Sequence, residues 1–219
     1  MNLYPQKYFS ITEIKRFVVI FYFIGLVGML IPITQKIFIY LIPFAIILNL
    51  YLLGAFHSSY NKKSIIIFIT VIILSFFVEV FGVNTGNIFG VYHYGDSLGI
   101  KVYNTPIIIG FNWLYVIYSA DSIISDLNKK FSSRIINIVM ASLLPVFYDI
   151  ILEIVAPKIG MWYWEGKSVP LRNYFSWFII SFVLITIFKL SDIKTKNPIA
   201  KLIFLSQFIF FVLLSIFLK

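Results

Sequence analysis

Apolar residues along this chain fall into seven runs, at about 16–33, 36–56, 64–81, 105–124, 134–156, 173–190 and 199–218. Each is rich in Ile, Phe, Leu and Val and close to the roughly 20 residues a helix needs to cross a bilayer. The gaps between them are short and polar. This pattern predicts an all-α, polytopic integral membrane protein of about seven transmembrane helices, residues 1–219 forming a single transmembrane domain. Gly25, Gly28 and Pro32 loosen the first run, and Pro43 and Pro145 lie inside runs, where they are expected to kink a helix. Pro106 sits where a proline at the first helical position belongs, and Pro157 marks the end of the fifth helix. Positions 1–15 are mixed and polar, with no small-residue cleavage site after the first run, so that run reads as a retained helix.

Composition agrees with the pattern. The chain is 60% hydrophobic, 19% aromatic and 12% charged, whereas soluble domains are about half apolar and a quarter charged. It has no cysteine, which excludes thiol nucleophiles, disulfides and iron–sulfur ligation, and two histidines, His57 and His93, too few for a histidine-rich metal site. No metal site of that kind is therefore expected. A net charge of +9 would suggest nucleic acid in a soluble protein. Here the bases sit in the gaps between apolar runs and are read as topology signals, with no nucleic-acid partner.

Those bases alternate. Lys7, Lys15 and Arg16 precede the first run; Lys62 and Lys63, Lys129, Lys130 and Arg134, and Lys189, Lys194, Lys196 and Lys201 fall in the second, fourth and sixth gaps. These 12 outnumber the 6 on the other side, Lys36, Lys101, Lys158, Lys167, Arg172 and Lys219. The positive-inside rule then puts the N-terminus in the cytoplasm and the C-terminus outside a cell membrane. The third loop (82–104) and the fifth (157–172) fall on the outer side, and both mix Gly, aromatic and polar residues. Such stretches fold back onto the headgroup zone or line a cavity.

Three carboxyls lie in the runs beneath those loops. Glu79 is near the outer end of the third helix; Asp149 and Glu153, four apart, share a face of the fifth. An ionisable group in a span costs several kcal/mol without a partner or a wet cavity and is a functional candidate by default. The bland reading is a hydrogen bond between helices, or a side chain reaching the interface. Asp121, near the other end of the fourth helix, reads as interfacial. A carboxylic acid kept neutral in an apolar pocket can protonate a weak base such as an alkene, while a nearby carboxylate stabilises a cation or takes a proton from water. Aromatic faces add cation–π stabilisation, and the candidates are Tyr92, Tyr94, Trp113, Trp162, Tyr163, Trp164 and Trp177. They could equally form an interfacial aromatic belt. His93 could shuttle a proton; Asn84, Asn112 and Asn173 could position substrate or water; His57 reads as interfacial. Walker, Rossmann, HExxH and GxSxG motifs are absent. Gly82, Gly86 and Gly90 read as loop residues, not as a helix-dimer motif.

The block EVFGVNTGNIFGVYHYGDSLG (79–99), followed by VYNTPIIIGFNWLYVIY (102–118), resembles the carotenoid biosynthesis membrane family, which includes carotenoid 1,2-hydratases acting on bacterioruberin precursors and γ-carotene-type pigments. A second block, DIILEIVAPKIGMWYWEGKSVPLRNYFSWF (149–178), is similar to the family pattern of Asp, a Glu one turn on, a Trp-x-Trp pair, then Pro, Asn and Trp. These fall on Asp149, Glu153, Trp162, Trp164, Pro170, Asn173 and Trp177; in one departure, Glu153 is followed by Ile154 where the family often has Pro. The resemblance implies a cofactor-independent hydratase that adds water across the terminal double bond of an acyclic carotenoid end group. Its partners would be the carotenoid, water, the lipid bilayer and other enzymes of carotenoid biosynthesis. Glu79, Asp149, Glu153 and His93 would carry the proton chemistry, and Asn84, Tyr92, Tyr94, Asn112, Trp113, Trp162, Trp164, Asn173 and Trp177 would bind substrate.

Other readings stay open. A lycopene-type cyclase begins with the same alkene protonation and lets an internal double bond capture the cation. Intramembrane carboxyls also serve transporters, although no inverted repeat is visible, and a non-enzymatic assembly protein is a further alternative. A retinal protein needs a lysine deep in its last helix; here the last run has only Lys201 and Lys219, at its ends.

Overall fold

The computed structural model describes residues 7–127, 133–166 and 168–218. Lys129, Lys130, Lys167, Lys219 and positions 1–6, which enter the charge and signal arguments above, lie outside the described residues. Among those described, the chain forms eight α-helices: α1 (Ile11–Leu30), α2 (Pro32–Tyr40), α3 (Ile42–Ala55), α4 (Lys62–Thr85), α5 (Ile108–Leu127), α6 (Arg134–Val155), α7 (Leu171–Leu190) and α8 (Ala200–Phe217). A 3-10 turn, Ala156–Ile159, continues α6. Four short strands, β1 (Tyr92–Tyr94), β2 (Lys101–Val102), β3 (Thr105–Pro106) and β4 (Trp162–Trp164), occupy the two loops that the charge pattern singled out.

The all-helical expectation holds, with a coarser count of crossings. Five helices, α4 to α8, are each long and apolar enough to cross a membrane, and α2 with α3 makes a sixth if the pair is one span bent by 54°. The second apolar run is therefore broken at Leu41, with Pro43 in the first turn of α3, where its missing N–H costs nothing. The first run begins earlier than expected: Ser10 caps α1 in a reciprocal capping box with Glu13, so the helix takes in Glu13, Lys15 and Arg16. At Pro145, by contrast, α6 runs on as one helix. Pro106 also departs from expectation. It pairs with Lys101 in the β2–β3 hairpin, and α5 starts two residues later at Ile108. The hairpin turns at Tyr103 and Asn104, both at positive φ, the geometry of a two-residue type I′ turn. Finally, α4 extends beyond the third run to Thr85, so Gly82 is helical, and Gly86 ends the helix in the left-handed conformation (φ 66°).

The centre of the bundle is α5, which packs against α3, α4, α6, α7 and α8. Its apolar window is 89% buried, against 22–39% for the other four single-helix spans, and its mean hydropathy is the lowest, 1.2. The two facts belong together. A helix surrounded by protein can carry Asn112, Ser119, Asp121 and Ser122 because they are buried among other helices and kept from lipid. Gly110 lets α4 come close, since a Cβ there would lie 2.5 Å from the Ile72 carbonyl oxygen. On the other side, Asn49 of α3 donates to the Tyr22 hydroxyl of α1 (2.7 Å) and to Gln207 of α8 (3.1 Å), and Gln207 donates to the Tyr148 hydroxyl of α6 (2.9 Å). Buried hydrogen bonds of this kind stabilise helix association by about 0.6 kcal/mol each. They also fix the arrangement of four helices around a cavity described below.

Candidate active site

The two motif-bearing loops are joined. β1 pairs with β4 antiparallel, in the register Tyr92 with Trp164, His93 with Tyr163 and Tyr94 with Trp162. Gly95 N–H then bonds the Met161 carbonyl (2.9 Å), and a Cβ on Gly95 would lie 2.2 Å from the Gly160 oxygen, so only glycine permits this crossing. Alternate residues of a strand face opposite sides. One face of the ribbon therefore presents Tyr92, Tyr94, Trp162 and Trp164 to the interior, and the other presents His93 and Tyr163 outward, their rings stacked at 5.4 Å.

Beneath the inward face lie the carboxyls. Glu79 of α4 accepts three hydrogen bonds: from the hydroxyls of Tyr92 (2.7 Å) and Tyr94 (2.6 Å) on Oε2, and from the Trp113 indole N–H (2.8 Å) on Oε1. Burial, reinforced by the charge of Glu79, holds both phenols well above their usual range, so they stay donors. Glu153 of α6 is held in a similar manner, by the indole N–H groups of Trp162 (3.0 Å) and Trp164 (2.7 Å) on Oε2 and by the Asn173 amide (3.3 Å) on Oε1. Asn173 also donates to Asp149 Oδ2 at 2.6 Å, linking the two carboxyls of α6 through one amide of α7. The second oxygen, Asp149 Oδ1, is buried with no hydrogen-bond partner among the described residues.

Glu79 and Glu153 line a small chamber of about 20 Å³ together with Asn112, Asn173 and six aromatic side chains, among them Phe89 and Trp177. Trp177 stacks on Trp113 with ring centroids 4.2 Å apart. Asp149 is not among the lining residues and stands behind Asn173. Beside the chamber is a cavity of about 420 Å³ with almost wholly apolar walls, bounded by α1, α2, α3, α6 and α8 and closed by the start of α5 and by β4. Ile109, Asn112 and Trp162 line both spaces, so the two meet there.

Of the residues singled out from sequence, Glu79, Asp149, Glu153, Tyr92, Tyr94, Asn112, Trp113, Trp162, Trp164, Asn173 and Trp177 converge on this region. Two do not. His93 points away on the outer face of the ribbon, with Tyr163. Asn84 is exposed and fastens the end of α4 to the β2–β3 hairpin, donating to Val80 and Tyr103 carbonyls and accepting from Asn104 (2.8 Å). His57 bonds the Tyr118 hydroxyl (2.8 Å) and is buried. The sequence reading missed Phe89, Ile109 and the wall of the large cavity apart from Asn112 and Trp162. Asn49 and Gln207, uncharged polar residues in otherwise apolar runs, were the available signal for the latter.

A helical bundle consistent with a membrane protein, carrying buried carboxyls in an aromatic box at the end of an apolar cavity, is the class that fold and site define. The chain belongs to the carotenoid biosynthesis protein family, whose sequence model matches residues 36–219. No curated protein and no solved structure matches it.

Proposed function

We propose that the protein is a carotenoid hydratase, adding water to the terminal carbon–carbon double bond of an acyclic carotenoid end group. The observation that carries this reading is the junction of the two spaces: an apolar cavity of about 420 Å³ ends against a chamber walled by Glu79, Glu153 and aromatic rings. A volume of that size suits a small-molecule site. Its outer rim, at Phe17, Ile20, Ile24 and Phe44, is exposed on the bundle surface, which gives a hydrocarbon chain a way in from lipid. Membership of a carotenoid biosynthesis family supplies the substrate class.

In the reaction, one carboxyl in its acid form gives its proton to the less substituted carbon, forming a C–H bond. The tertiary cation left behind lies at the junction of the two spaces, against the face of Trp162, where the ring quadrupole favours it. Water adds to it and loses a proton to a carboxylate, so the product is a tertiary alcohol and the protein is returned to its starting state. Asp149 acts through Asn173 on Glu153. No cofactor is needed.

Five single helices and the bent pair make up to six crossings; on this reading α1, which carries Glu13, Lys15 and Arg16 in its first two turns, is the seventh. The N-terminus is then cytoplasmic, and the carboxyl site lies at the outer end with the C-terminus. The test of function is expression in a bacterium that makes lycopene, with chromatography, absorbance and mass of the pigments. The expected product is heavier by one water with an unchanged visible spectrum, because the terminal double bond lies outside the conjugated system. A product of unchanged mass and shifted spectrum would mean a cyclase. Unchanged pigments with the protein present in the membrane would remove the carotenoid end group as substrate.

A further inference from the structure

The two spaces differ in what they can hold. About 20 Å³ is above the roughly 10–15 Å³ that a single water requires. The body of an isoprenoid chain is left to the large cavity, with its terminal double bond at the junction formed by Ile109, Asn112 and Trp162, where the chamber opens. A buried water needs two to four polar partners, and the chamber offers Glu79, Glu153, Asn173 and Asn112. Of these, Asn112 is distinctive. The residue is only 6% exposed and lines both spaces, which puts its amide where the chamber meets the large cavity. The neighbouring Trp113 is tied to Glu79 at 2.8 Å and stacked on Trp177, so the start of α5 is rigid and Asn112 is held at the mouth.

We propose that the chamber between Glu79 and Glu153 is the site of the nucleophilic water, and that Asn112 anchors this water where the chamber opens onto the large cavity. The proposal rests on the hydratase reading and deepens it. The cation forms in the large cavity beside Ile109 and Trp162. The anchored water approaches from the chamber side only; its oxygen forms the new C–O bond, and its second proton passes to a chamber carboxylate. The carboxyl that protonated the alkene is thus made good by the proton that water gives up. Asn112 is here a residue that positions water and does not itself exchange protons. It decides whether the cation ends as alcohol, or instead loses a proton or closes a ring.

The experiment separates protonation from capture. Membranes containing the protein and an acyclic carotenoid are incubated in D₂O, and mass spectrometry follows both the hydrated product and deuterium taken up into remaining or rearranged hydrocarbon. The intact protein should yield hydrate. In Asn112→Leu, which fills the chamber, hydrate should fall by about tenfold or more, as befits losing the oriented nucleophile, while deuterium still enters the hydrocarbon. In Asn112→Ala, which keeps the space and removes the anchor, hydrate should fall by less with deuterium uptake again retained. The proposal is overturned if either variant, present in the membrane, hydrates at the original rate, or if hydration and deuterium uptake fall together. Absence of both signals in the unaltered protein would instead remove the hydratase reading itself.

Discussion

Buried acids occur at both ends of this bundle, and the fold treats them in opposite ways. Asp121, in the C-terminal half of α5, is fully buried and meets a positive charge: Lys189 Nζ lies 2.6 Å from Oδ1, and Thr195 donates to Oδ2 at 2.6 Å. Glu79, Glu153 and Asp149 are equally buried and meet only neutral donors, from Tyr, Trp and Asn side chains. The only described ion pair near them, Lys101 with Asp96, is on the surface of the loop. An acid set against a cation has its charge balanced inside the bundle. An acid held by neutral donors can gain or lose a proton without leaving a buried cation behind. The first arrangement suits architecture, and the second suits chemistry with protons.

The sharpest way to break that comparison is to remove the charge at each end. Glu79→Gln and Glu153→Gln keep side-chain size and, with an amide flip, part of the hydrogen bonding. They should lower product by about a hundredfold or more, the usual worth of a positioned acid or base, with the protein still folded in the membrane. Asp149→Asn, one step behind the chamber, should lose product too, while Asp121→Asn should keep most of it. Pigment mass set against the amount of membrane-inserted protein measures all four. Full activity in every outer-end amide variant would sink the assignment.

Next in size is an effect on stability at the opposite end. Lys189→Met leaves Asp121 buried beside Thr195 without its cation, and stranding one partner of a buried pair costs about 3–5 kcal/mol. Adding Asp121→Asn should recover most of the loss, because the double variant buries no charge. Thermal unfolding of the detergent-solubilised protein would show a large drop for the single variant and a small one for the double. Equal drops would mean that the pair is not what holds α5 to α7.

Much of this was visible in the chain. Charged residues are rare in apolar runs, so Glu79, Asp149 and Glu153 stood out, and the paired loops above them were marked by charge bias and by glycine and aromatic content. Their convergence was not visible. It depends on β1 and β4, three residues each and about seventy positions apart, meeting in one register, and strands that short carry little periodic signal. The counter-charge of Asp121 was hidden for the same reason, since Lys189 reads as one more base in a loop until α7 is laid against α5. The large cavity was least legible. Phe and Ile lining a cavity look the same in sequence as Phe and Ile facing lipid, and only Asn49 and Gln207 betrayed an interior there. Helix ends failed at Pro106 and Leu41, where a hairpin and a bend took residues that local preference assigned to helix.

The smallest expected effect is the most discriminating about orientation. His93 and Tyr94 are adjacent in β1, and alternation puts them on opposite faces of the ribbon. Tyr94 donates to Glu79 at 2.6 Å, whereas His93 is exposed and stacked on Tyr163. Tyr94→Phe removes one hydrogen bond to the Glu79 carboxyl, worth about 1.5–3 kcal/mol when the acceptor is charged, and should lower product accordingly. His93→Ala removes a surface ring contact, and substitutions of that kind stay within about 0.5 kcal/mol. Its product yield should match the unaltered protein within about twofold, on the same free-energy scale. If His93→Ala abolished product while the protein remained in the membrane, the imidazole would have to reach the carboxyls during turnover. The ribbon would then have to rotate or open, and the outward face would no longer be the idle one.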